Sequence, residues 1–160
     1  MTEVVIEHSR DDTKTIVKAT MEKMSSVDAY ADETQRIVGK QNASLTGGNG
    51  ATLIVNIPEV QEDEERTKIE VTAEKAVAID MATDPEDIQS EFLDKINTFR
   101  DQNMEQILDF MRNEMSPDDS KEVSNASEFQ DSQTTMGKKF IITFIILMVI
   151  SILFGVLMMP

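Results

Sequence analysis

The sequence predicts an α+β fold, mostly helical: a small soluble region with two amphipathic helices and two short strands, followed by one C-terminal transmembrane helix. Three observations carry that expectation. Residues 140–159 form an apolar run without a charge, residues 85–115 repeat apolar side chains at helical spacing, and two short stretches near 51–57 and 69–74 have strand character. Together they divide the chain into a mobile N-terminus (1–10), a helix-rich interaction domain (11–115), a polar disordered linker (116–137) and a membrane anchor (138–160).

The first helix is expected from about Asp11 to Gln41. Asp11 or Asp12 can cap it, and Val17, Met21, Met24, Val27, Ala31 and Val38 come at intervals that place one apolar face on a helix. Gly39 is read as its end. The run TGGNG at 46–50 is a turn signal, since it lacks both the Lys-Ser/Thr pair of a P-loop and the spacing of a dinucleotide loop.

Strand character comes next. ATLIVNI at 51–57 is apolar and is stopped by Pro58, which cannot donate to a ladder. From Ile69 the alternation is cleaner, with Ile69, Val71 and Ala73 on one face and Glu70, Thr72 and Glu74 on the other. Between them Glu62, Asp63, Glu64 and Glu65 are adjacent, without the alternating ligands and central glycine of a calcium loop. They read as a solvated face, and no metal or other cofactor is expected.

The second helix is expected from Pro85 to Met115. Asp84 stands at the N-cap, Pro85 at the first helical position and Asp87 where the helix dipole favours an anion. Phe92, Ile96, Phe99, Ile107 and Phe110 form a stripe, with Asn103 in its seam, and this stripe is the expected oligomer or partner face. Leu93, Met104, Leu108, Met111 and Met115 form a second, overlapping row.

The run 140–159 contains fourteen Ile, Leu, Val or Phe residues among its twenty. Such a length spans about 30 Å as a helix, which matches a hydrocarbon core. Lys138 and Lys139 precede it, so the positive-inside rule predicts a cytoplasmic N-terminal region. Ser151 and Gly155 form a small-xxx-small pair on which two such helices could pack.

Composition narrows the function. All 30 acidic residues precede position 132, and 13 basic residues accompany them in 1–137, a net charge of −17. That field repels phosphate backbones and disfavours nucleic acid as a partner. With no cysteine, thiolate catalysis, disulfides and cysteine-ligated zinc are excluded. His8 is the only histidine, and no G-x-S-x-G nucleophile motif is present, so no catalytic residue is assigned. The sequence therefore points to a non-enzymatic, membrane-tethered scaffold, partnered by the bilayer and by protein, that forms homo-oligomers. A structural membrane protein of a virus, linking bilayer to shell, fits the same features. A pore-forming protein fits poorly, because only Thr143 and Ser151 could line the span.

Overall fold

The computed structural model describes residues 1–42, 50–59, 65–76, 84–113 and 120–124. The chain divides after Ala126, and every described residue belongs to the first unit. Its elements, in order, are β1 (Thr2–Ile6), α1 (Arg10–Lys23), β2 (Ala29–Glu33), β3 (Arg36–Lys40), β4 (Ala51–Asn56), β5 (Thr67–Lys75), α2 (Pro85–Phe99), α3 (Met104–Asn113) and β6 (Glu122–Val123).

The strands form one six-stranded sheet in the order β1-β5-β4-β3-β2-β6. Neighbours are antiparallel except β6, which runs parallel to β2. The fold is α+β, but it is not mostly helical with two short strands. The described strands are joined in one six-stranded sheet, α1 and α2 pack against it and against each other, and α3 packs on α1.

The main departure lies in residues 24–41. The expected long first helix stops at Lys23, and the backbone at Met24 is already extended (φ −73°, ψ 135°). Beyond it β2 and β3 form a hairpin, with Glu33 opposite Arg36. Tyr30 and Ile37 turn towards the helices, while Ala31 and Val38 turn to the opposite face, and all four are buried. A strand buried on both faces loses its alternation. Its paired apolar residues then fall by coincidence at helical intervals. Gly39 does not end a helix but lies within β3, where a Cβ would come 2.8 Å from the Met21 sulfur. Its missing side chain is what lets α1 approach β3 closely.

The predicted strands at 51–57 and from 69 are present as β4 and β5, aligned Val55 to Val71 and Leu53 to Ala73. Ile37, Leu53, Val55, Ile69 and Val71 share the helix-facing side and are fully buried with Phe92, Ile96 and Ile88 of α2. Residues 2–6, placed in a mobile N-terminus from the sequence, form an edge strand along β5.

The expected helix 85–115 is two helices. Asp84 caps α2, accepting from the Glu86 N–H at 2.9 Å. The helix ends after Phe99, and Asn103 starts α3 by accepting from the Gln106 N–H at 2.9 Å. An asparagine in this position satisfies an orphan helix-terminal donor, so its place in the apolar seam reflects capping.

The transmembrane, single-pass and tail-anchored description is also corrected. Among the described residues no helix is long and apolar enough to cross a membrane. The helices have 14, 15 and 10 residues, each with charged positions, whereas a span needs about 20 apolar ones. The run 140–159, with Lys138, Lys139, Ser151 and Gly155, lies outside the described residues, as do Glu62, Asp63, Glu64 and Met115.

Candidate functional site

Three polar constellations arise from this fold. The first sits where β1 hands over to α1. Ser9 is the N-cap: its hydroxyl donates to Asp12 Oδ2 at 2.8 Å and accepts from the Asp12 N–H at 3.3 Å. The His8 carbonyl accepts from the Thr13 and Thr67 hydroxyls at 3.4 and 2.9 Å. A depression of about 420 Å³ beside them is lined by Glu7, His8, Ser9, Asp12, Glu65 and Arg66. The residue types match a hydrolytic triad, but the bonding does not. The Ser9 proton points to Asp12 and its lone pair to a backbone donor, which is helix capping.

The second constellation is a groove of about 550 Å³ at the β2–β3 turn, lined by Glu33, Thr34, Gln35, Arg36, Asn56, Pro58 and Glu70. Arg36 is paired with Glu33, and Arg10 donates to the carbonyls of Thr34 and Pro58 at 2.7 and 3.2 Å. These groups close the end of the sheet onto α1. No group of three or more histidine, aspartate or glutamate side chains among the described residues is arranged to hold a metal ion.

The third joins three distant segments. Lys14 and Lys18 of α1 reach Asp32 of β2 at 2.9 and 3.0 Å, and Lys18 also reaches Glu122 of β6 at 2.8 Å. Glu22 accepts from the Ser120 hydroxyl and the Lys121 N–H, both at 3.0 Å. The Lys121 ammonium donates to the Met24 carbonyl, and the Tyr30 N–H donates to the Lys121 carbonyl at 2.8 Å. Residues 120–124, expected within a disordered linker, are thereby strapped onto the sheet edge. Burial pushes the Tyr30 phenol far up, with the charges of Glu22 and Glu122 adding, so it stays protonated.

Burial pushes the Asp32 carboxyl up, but hydrogen bonds from Lys14 and Lys18 outweigh it and hold the carboxyl below its ordinary value. A carboxyl lowered in the folded state stabilises fully above its unfolded value of about 3.9, and that contribution is lost as pH falls through the folded value. Urea denaturation at pH 6 and pH 3 should therefore show acid destabilisation that is smaller in Asp32→Asn. Equal acid sensitivity in both proteins would show that this network does not contribute.

The stripe expected to face a partner is used within the chain. Phe92, Ile96, Phe99 and Ile107 are buried in the core. Phe110 is half-buried, with its ring centroid 5.3 Å from that of Phe99 and the Lys23 ammonium 4.6 Å from its own centroid. Asn103 is exposed at its cap. Of the second row, Leu108 is 46% exposed and Leu93, Met104 and Met111 are half-buried.

The surfaces that sequence reasoning missed are the two ends of the sheet. At one end β6 is held by the Lys18–Asp32–Glu122 network, whose members lie too far apart in sequence to carry a periodic signal. At the other, β1 has no strand on its outer side among the described residues, and Val5 and Met1 are 52% and 78% exposed. Its signal was present in TEVVIE, where Thr2, Val4 and Ile6 alternate with Glu3, Val5 and Glu7. Comparisons with protein-family models, with curated proteins and with solved structures give no match to this chain.

Proposed function

We propose that this chain is a non-catalytic scaffold that associates with itself and with lipid. The observation that carries the reading is the outer edge of β1, a five-residue strand at the end of the sheet whose Val5 side chain is exposed. Such an edge presents backbone donors and acceptors to another strand. The lipid part is supported by the sequence of 140–159, whose apolar side chains have a favourable transfer into hydrocarbon. The net charge of −15 favours protein and disfavours nucleic acid as the second partner.

Light scattering of the full chain in detergent micelles, corrected for bound detergent, tests the first part, and flotation with liposomes tests the second. The expected results are a mass of at least two chains and recovery with the vesicles. A monomer overturns self-association, and a chain left at the bottom of the gradient overturns lipid binding.

A further inference from the structure

We propose that two copies of this chain pair through β1, antiparallel about a two-fold axis at Val4, joining their sheets edge to edge. The proposal rests on the self-association reading and specifies its interface.

The two ends of the sheet are not equivalent. β6 contributes two residues, and its Glu122 is engaged by Lys18. β1 contributes five, all in register with β5, with no proline, glycine or bulge to blunt the edge. Val4, Val5 and Ile6 favour extended backbone. The acidic side chains at this edge are each paired within the chain, Glu3 with Lys68 at 2.8 Å and Glu7 with Arg66 at 3.1 Å, which weakens but does not remove their protection of the edge.

Overlap and charge then select the register, since an axis at Thr2 or Ile6 would pair only that one residue of β1 with its copy. Antiparallel pairing that keeps both helical layers on one face of the joined sheet places the axis on a residue of β1. An axis at Glu3 sets Glu3 against its own copy. An axis at Val5 sets Glu3 against Glu7 of the other chain. With the axis at Val4, Glu3 faces Val5, Thr2 faces Ile6 and Val4 faces Val4, so no like charges are directly opposite. On the helix-facing side, Val4 is packed against the core and Ile6 is buried, so this row continues the apolar core across the junction. On the other side, Val5 gains a neighbour over its exposed surface.

Residue 5 lies opposite Lys68 within its own chain, so Val5→Glu leaves the monomer with a favourable cross-strand neighbour. In the pair it sets carboxylates against Glu3 on both sides of the axis, and the dissociation constant should rise by about tenfold or more. Val5→Thr, uncharged and β-branched, puts no charge against Glu3 or Lys68 and should retain the pair. Loss with both substitutions would indicate a merely hydrophobic contact and overturn the register.

The absence of cysteine permits a direct test. Full-length E3C and V5C chains, mixed in detergent micelles and oxidised, should give a disulfide-linked heterodimer. Each variant alone should not, because in this register identical positions are about 8 Å apart at Cα, beyond disulfide reach. Chains that are dimeric by light scattering but fail to cross-link on mixing overturn the β1 pairing and leave self-association standing. Chains that are monomeric by mass overturn both.

Discussion

Full-length Phe92→Asp is expected to lose the cooperative unfolding transition of the first unit. Phe92 is fully buried on α2, among the side chains that connect the helix to the sheet. Removing a buried phenylalanine costs about 3–5 kcal/mol. Burying a carboxylate in its place adds several more, unless the site opens to water. Against a typical domain stability of about 5–15 kcal/mol, that combination removes most or all of the fold. Leu108→Asp is the matched control, since Leu108 is 46% exposed on α3 and its substitution should cost under about 1 kcal/mol. Thermal melts followed by circular dichroism read both. Had the stripe been an intermolecular face, Phe92→Asp would change the mass and leave the melt intact, so that outcome would reject the packing described here.

The same stripe shows how far the sequence could be read. Period, cap and breaker locate α2 to the residue at its start, because Asp84 and Pro85 act through local backbone chemistry. What the stripe faces is a tertiary fact. An apolar helix face looks the same whether a sheet of the same chain or a neighbouring chain covers it. The extent of the sheet decides between the two: with only two strands legible, the chain has too little of its own surface to cover 85–115, and with six it has enough. β2 and β3 escape sequence reading because Tyr30, Ala31, Ile37 and Val38 are buried on both faces, which erases the period-two signal. β1 escapes it because five residues give too short a period to stand out, and its order depends on pairing with Thr67–Val71, more than sixty positions away.

The candidate interaction surfaces are less legible than the core for a related reason. The strap at 120–124 lies in a polar segment without period, and it is ordered by contacts rather than by propensity. Glu122 and Lys121 have partners on α1 and at Met24 roughly a hundred residues earlier. Nothing local marks them. An edge strand likewise has the same composition whether or not a neighbour lies beside it, so the availability of β1 emerges only from the strand order.

Gly50→Ala is expected to be the most damaging single-methyl substitution among the glycines described. Gly50 has φ +85°, the left-handed region, and a Cβ there would come 2.1 Å from the Gln41 carbonyl oxygen. That oxygen belongs to a backbone fixed on both sides of the contact. The Gln41 N–H donates to the Ala51 carbonyl at 2.9 Å, and the Gly50 carbonyl accepts from the Ala76 N–H at 3.1 Å. Relief therefore means opening the start of β4 where it meets both β3 and β5. Left-handed backbone costs an L-residue about 1–2 kcal/mol, and overpacking adds about 1–3. A loss on the order of 2–5 kcal/mol corresponds to a fall in melting temperature of roughly 10–20 °C for a unit of this size. Gly39→Ala makes the comparison informative. Its Cβ would meet the Met21 sulfur at 2.8 Å, but that atom lies near the end of a flexible side chain and can move. Gly39→Ala should therefore melt several degrees above Gly50→Ala. The reverse order would mean that the β3–β4 connection yields more readily than the α1–β3 packing, and that the rigid part of this fold is the helix layer rather than the sheet.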